Sequence, residues 1–230
     1  MNKIDVQKRV LKNGEPLSCD LFQWDEKTKT FSSTEFGLTI DFVGIEGCTF
    51  TTRYDCTFKT GYNCTFTTGS GCTFKTESGC TFTTWPSCTF TTGSGCTFTT
   101  GSGCTFKTES GCTFTTWSGC TFTTWSGCTF KTGSGCTFTT GSDCTFTVGG
   151  VTLDTPPLFF SGSRYGIGFI RPGWIKSGCI EKPVEWWKDN IVRCAEEHKY
   201  APQQVKEYTL YVDFIVAWME MLGIDKEIEK

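Results

Sequence analysis

Between residues 48 and 150, apolar and polar positions alternate over a few residues and then break, and the break returns every eighth residue. The unit reads Cys-Thr-Phe-(Thr/Lys)-Thr-x-x-x, with x-x-x usually Gly-Ser-Gly or a relative of it. Cys-Thr-Phe is invariant across thirteen copies, and the fifth position departs from Thr only at Val148. Cys-Thr-Phe-Thr has the period of a strand with one buried face, so Cys and Phe point inward while Thr-Thr or Thr-Lys points outward. Thr and Phe favour strands. Gly and Ser in the last three positions give the backbone the freedom that a sharp turn needs. A helix is excluded, because no 3.6-residue pattern exists and Gly recurs too often.

One short strand cannot bury a Phe. Copies stacked about 4.8 Å apart can, and identical residues then form columns. The predicted inner columns are Cys48, Cys56, Cys64, Cys72, Cys80, Cys88, Cys96, Cys104, Cys112, Cys120, Cys128, Cys136 and Cys144, with Phe50, Phe58, Phe66, Phe74, Phe82, Phe90, Phe98, Phe106, Phe114, Phe122, Phe130, Phe138 and Phe146. Each buried Phe contributes roughly 1.5–3 kcal/mol. The expected fold is therefore mainly β: a parallel β-solenoid of two strands and sixteen residues per coil, with Cys of one face opposite Phe of the other. A duplicated block, Cys72–Trp85 and Cys104–Trp117, has a spacing of thirty-two residues, a whole number of sixteen-residue coils. A three-sided coil is the alternative.

Sixteen cysteines suggest a disulfide framework in a small secreted domain, but thirteen of them fill one repeat position at even spacing. They are read as small buried hydrophobes. Parallel neighbours point the wrong way for good disulfide geometry, and the convergent C-x₂₋₄-C spacing of zinc sites is missing. No metal or other cofactor is expected.

The flanks differ in pattern. Residues 1–47 read as an N-terminal β cap: Leu21–Trp24 and Thr30-Phe31 flank a polar turn at Asp25–Lys29, and the alternating Leu38–Phe42 serves as template strand for the first coil. Residues 151–180 read as an irregular cap or connector. In 181–230 the period becomes helical through Val184, Trp187, Ile191, Ala195 and His198, then Val205, Tyr208, Val212, Ile215, Met219 and Leu222. Pro183 and Pro202 suit first turns and Gly223 a stop, giving an αα-hairpin around Lys199–Ala201 that either covers the last coil or mediates homo-oligomerisation.

The octapeptide Cys-Thr-Phe-Lys/Thr-Thr-Gly-Ser-Gly resembles a family of Cys-Thr-Phe octapeptide-repeat proteins encoded by bacteriophages and some bacteria. The lead-in Gly14–Leu17, Phe22–Trp24 and Leu38–Phe42 is similar to their N-terminal segment, and Ile175–Cys179, Trp186 and Tyr208 to their helical tail. The resemblance implies a β-helical fold and a phage-linked origin, and carries over no catalytic residue.

Charge narrows the function. The net charge is −3, and within 48–150 four lysines and Arg53 face Asp55, Glu77, Glu109 and Asp143. That balance supplies neither the basic stripe of a nucleic-acid binder nor the acidic one of a DNA mimic. Met1–Lys12 does not resemble a signal peptide, and no run of eighteen apolar residues predicts a membrane span. The expected location is a host cytoplasm or a virion. Three classes of function compete. The first is a non-catalytic structural or interaction protein that meets an unknown protein or glycan through Trp85, Trp117, Trp125, Tyr54 and Tyr62. The three Trp occupy a turn position usually held by Gly or Glu, with Trp85 and Trp117 on one edge of a two-sided coil and Trp125 on the other. The second is ice or ordered-water binding through outward Thr-x-Thr ranks, which resemble those of insect antifreeze solenoids. Here Lys59, Lys75 and Lys107 interrupt one face and Lys131 alone the other. The third, an enzyme, finds only His198, Asp154, Arg164 and Arg171 as candidates, and surface or packing roles fit them better.

Overall fold

The computed structural model describes residues 1–226; the last four residues of the segment read as a helical hairpin lie outside them. The chain divides into two compact units: Met1–Thr132 with Thr137–Thr145, and Gly133–Cys136 with the chain from Phe146 onward.

The first unit is a two-sided parallel β-solenoid with sixteen residues per coil, and the repeat makes about seven turns. Successive copies alternate between two sheets, so each strand pairs with the copy after next. Thr81–Thr84 pairs in parallel with Thr97–Thr99, matching Phe82 to Phe98, and Thr89–Thr92 with Thr105–Thr108, matching Phe90 to Phe106. One sheet holds Leu38–Phe42, Thr57–Thr60, Thr73–Lys75, Thr89–Thr92, Thr105–Thr108, Thr121–Thr123 and Thr137–Thr139. The other holds Thr30–Ser32, Thr49–Thr51, Thr65–Thr68, Thr81–Thr84, Thr97–Thr100, Thr113–Thr116 and Thr129–Lys131.

The N-terminal segment templates both sheets. Leu38–Phe42 aligns Ile40 with Phe58, while the hairpin of Gln23–Asp25 and Thr30–Ser32 aligns Phe31 with Phe50. The sequence suggests only the first of these templates. It also misses the short helix α1, Lys3–Gln7, whose Asn2 side chain accepts from the Asp5 amide at 3.0 Å. A helix this short carries almost no periodic signal.

Inside the solenoid each Phe stacks on the Phe one coil away. The Phe82 and Phe98 centroids lie 4.8 Å apart with planes 3° from parallel. Across the interior Phe meets Phe rather than Cys: Phe82 and Phe90 meet at 5.2 Å and 74°. Edge-to-face contact suits the ring quadrupoles, and offset coils let the two Phe columns interlock. The expected Cys-against-Phe pairing is thereby corrected. Each Cys opens its strand just after a turn, so its thiol faces turn backbone. Cys80 Sγ lies 3.6 Å from the Gly61 carbonyl and 3.8 Å from that of Ser78. A third inner column was not anticipated. The fifth-position threonines are buried, Thr60 and Thr68 at 3% exposure, because strict alternation carries that position inward too. Most of their hydroxyls reach turn carbonyls, as Thr68 Oγ1 does to Gly69 at 3.3 Å, while those of Thr60 and Thr132 have no hydrogen-bond partner among the described residues.

The eighth position adopts left-handed backbone in every turn from Asp55 to Asp143, which explains its preference for Gly and Asn.

The second unit opens with a hairpin in which Val148 pairs with Val151 across Gly149-Gly150. Most of the segment 151–180, expected to be irregular, together with residues 181–183, expected to open the helical hairpin, forms a regular four-stranded antiparallel meander: Phe159–Ser161, Gly166–Arg171, Trp174–Ser177 and Ile180–Pro183. Short strands broken by Pro and Gly hide this period. Two helices follow, α2 (Val184–Glu197) and α3 (Pro202–Leu222), with Pro202 in the first turn of α3 and left-handed Gly223 closing it. They pack on each other and on the meander. Trp187 Nε1 donates to the Ile175 carbonyl at 2.9 Å, and Trp187 and Tyr208 are both 1% exposed.

Candidate functional site

The outer surface of the solenoid consists of two threonine-rich faces and two edges built by the turns. On the face containing Thr81–Thr84, the register aligns Thr49, Thr65, Thr81, Thr97, Thr113 and Thr129 in one rank, and Thr51, Thr67, Thr83, Thr99, Thr115 and Lys131 in a second. The opposite face carries Lys59, Lys75 and Lys107. The three-to-one division of lysines therefore stands.

The sixth repeat position sets the character of each edge. Along the first edge it reads Arg53, Gly69, Trp85, Gly101, Trp117; along the second, Gly61, Glu77, Gly93, Glu109, Trp125. Large and absent side chains alternate except at Glu109 and Trp125, and packing explains all four of these glycines. A Cβ on Gly69 would lie 2.8 Å from the Tyr54 nitrogen, and one on Gly101 would lie 2.6 Å from the Pro86 nitrogen, both in the preceding coil. The bulky residues project outward: Trp85, Trp117 and Trp125 are 71%, 73% and 68% exposed.

The first edge carries a groove of about 450 Å³ between Tyr54 and Trp85, floored by Gly69 and Ser70 and bordered by Thr51 and Thr67. Phe36, which sequence reasoning missed, extends it by stacking on Tyr54 at 4.9 Å and 18°. Its signal was an isolated Phe between polar residues and Gly37, outside the repeat. The second edge carries a groove of about 580 Å³ with Tyr62, Lys59, Lys75, Glu77 and Glu109. The Glu77 carboxylate beside Tyr62 pushes its phenol above the ordinary range. The structure thus divides the five predicted contact residues, Tyr54, Trp85 and Trp117 to one edge and Tyr62 and Trp125 to the other.

The ladder cysteines are all buried, and none is in a disulfide. Adjacent thiols and burial push Cys56, Cys96 and Cys128 well above the ordinary thiol range, with Cys72, Cys112 and Cys112 respectively as the leading neighbour. Buried thiols with raised pKa are poor nucleophiles and poor metal ligands.

The second unit has its own cavity, about 490 Å³, lined among others by Tyr165, Cys179, Trp187, Cys194, His198 and Tyr200. Burial pushes the Tyr200 phenol up to about 12. Of the residues named as enzyme candidates, His198 lines it, whereas Asp154, Arg164 and Arg171 do not. The Arg164 guanidinium lies on the Tyr200 ring at 4.8 Å, and that of Arg171 on Trp174 at 4.0 Å. Among the described residues, no group of three or more His, Cys, Asp or Glu is placed to hold a metal, and no helix is long and apolar enough to cross a membrane.

No protein-family model, curated protein or solved structure matches this chain.

Proposed function

We propose that this protein is a non-catalytic structural or interaction module, a stiff β-solenoid that meets its partner through aromatic side chains on its edges. One observation carries the reading: three tryptophans about 70% exposed, with Tyr54 and Tyr62 also exposed, stand on a framework whose Phe columns are buried from Phe50 to Phe130. Exposed Trp and Tyr on a rigid support lose little conformational freedom on binding and supply large contact area. The resemblance of the octapeptide to phage-encoded repeats supports a phage–host setting, with a protein or a glycan as the partner.

The test replaces Trp85, Trp117 and Trp125 with Gly together. The variant keeps the β-sheet circular dichroism of the parent and loses its binding partners in affinity capture. A folded variant that retains them all overturns the contact reading.

A second reading has its own support. The Thr-x-Thr ranks on the face with only Lys131 stand in register over six strands, a repeating hydroxyl lattice suited to ordered water. Thermal hysteresis and ice shaping at high protein concentration test it, and their absence removes it.

A further inference from the structure

Starting from the edge-contact reading above, we infer that the first edge of the solenoid is a binding site for an extended, uncharged β-1,4-linked glycan strand, with Trp85 and Trp117 as stacking platforms.

Spacing is the first argument. On this sheet the coils advance by 4.8 Å from Phe82 to Phe98 and 4.9 Å from Phe98 to Phe114. Trp85 and Trp117 follow the first and last of these strands, so their coils are about 10 Å apart. Gly101 between them carries no side chain and, against Pro86, has no room for one. In an extended β-1,4-linked glycan successive rings are flipped, so alternate rings offer the same face at close to this interval. One platform beneath every second ring, with bare backbone beneath the ring between, is the arrangement such a strand requires. Two coils before Trp85, Tyr54 stands one turn position further along from Arg53 and borders the same groove, and Phe36 stacks on it.

Chemistry is the second argument. The groove beside Trp85 is bordered by the hydroxyl-bearing residues Thr51, Thr67 and Ser70, with one cation, Arg53. Sugar C–H faces stack on aromatic rings, and sugar hydroxyls pair with side-chain hydroxyls, so neither partner needs charge. The second edge, with Glu77, Glu109, Lys59 and Lys75, lacks that neutrality.

Backbone satisfaction is the third argument, and it disfavours a peptide strand. Strand addition needs unpaired backbone groups. Here the turn groups pair from coil to coil: the Gly71 amide donates to the Pro86 carbonyl at 3.1 Å, the Gly103 amide to Ser118 at 3.1 Å, and the Thr52 amide to Thr67 at 3.1 Å. A ligand on this edge meets side chains and turn backbone whose amides at Thr52, Gly71 and Gly103 are already paired.

The experiment titrates the full chain with cellohexaose, chitohexaose and the helically coiled α-linked maltohexaose, by calorimetry and by tryptophan fluorescence. Binding is expected for a β-1,4-linked hexasaccharide and not for maltohexaose. Trp85→Ala and Trp117→Ala should each weaken it about tenfold or more, the size of an aromatic anchor. Trp85→Phe should retain most of it, and Trp125→Ala on the other edge should leave it unchanged. Circular dichroism of each variant confirms the fold. Equal affinity for maltohexaose, or equal loss in Trp125→Ala, overturns the assignment. Binding of none of the three overturns it as well. If the triple Trp→Gly variant still loses a protein partner in that case, the edge-contact reading stands and only the glycan falls.

Discussion

The rings of Phe82 and Phe98 stack almost parallel at 4.8 Å although sixteen residues separate them, while Phe90 meets both edge-on at 5.2 Å. Every internal Phe therefore belongs to a stack along the axis and to a zipper across it. Phe98→Ala would remove a ring from both at once in a core that cannot close around the gap. The expected cost is about 3–5 kcal/mol, read as a lower urea midpoint. Because each coil touches only its neighbours, local amide exchange should accelerate most in the adjoining coils and least at a distance. Uniform acceleration along the repeat would contradict this.

The thiol columns give a pH prediction. Cys56 and Cys72, neighbours on one column, both hold their protons more tightly when folded than the ordinary value of 9.0 would allow, through neighbouring thiols and burial. The sign follows directly. Below about pH 8 these thiols are protonated in both states and contribute fully. Above 9.0 the unfolded chain loses their protons while the folded chain keeps them, so stability falls as pH rises. The urea midpoint should be flat from pH 6 to 8 and lower at pH 10. At pH 8, a thiol reagent should modify Cys19, Cys179 and Cys194 first and the ladder cysteines only on unfolding. Rapid titration of all sixteen would show that the columns are open.

The eight-residue period made the solenoid, its coil length and the placement of Trp85, Trp117 and Trp125 legible from sequence alone. It did so because one structural slot per repeat position leaves few consistent foldings. Two inward features escaped it. Thr at position five is polar, so its burial is visible only once its hydroxyl finds the turn carbonyl, as in Thr68. Phe against Phe across the core depends on the axial offset of the two sheets, which no periodicity encodes. Phe36 and the cavity around His198 were hidden for a different reason. Each is assembled from residues distant in sequence and outside the repeat.

Ser87 sits at φ 64° in a position that eleven other turns of the repeat array fill with Gly, Asn or Asp. A Cβ in left-handed backbone costs roughly 1–2 kcal/mol, and Ser, unlike Asn or Asp, is not among the residues that visit it routinely. Ser87→Gly should therefore stabilise the solenoid by about 1 kcal/mol after the added flexibility of the unfolded chain is subtracted. Thermal unfolding should shift upward by a few degrees. An unchanged or lower midpoint would mean that the serine side chain compensates for its backbone.

The second unit depends on one phenol. Tyr208, on α3 and 1% exposed, accepts from the Arg164 amide at 3.1 Å and the Tyr165 amide at 2.5 Å, and donates to the Tyr165 carbonyl at 2.6 Å. It thereby ties the helix to the turn between Phe159–Ser161 and Gly166–Arg171. Tyr208→Phe keeps the ring and its contact with Tyr200 at 5.0 Å, but strands two amides and a carbonyl. Arg164 and Tyr165 are exposed residues and their bonds to the phenol are only part-buried, so water replaces some of what is lost and the cost is about 1 kcal/mol. The loss should appear as faster amide exchange at Arg164 and Tyr165 and an earlier change in near-ultraviolet Tyr and Trp signals, with the exchange of the central repeat strands unaltered. If exchange at residues 164 and 165 stayed at the parent rate, the phenol would not be what holds the turn.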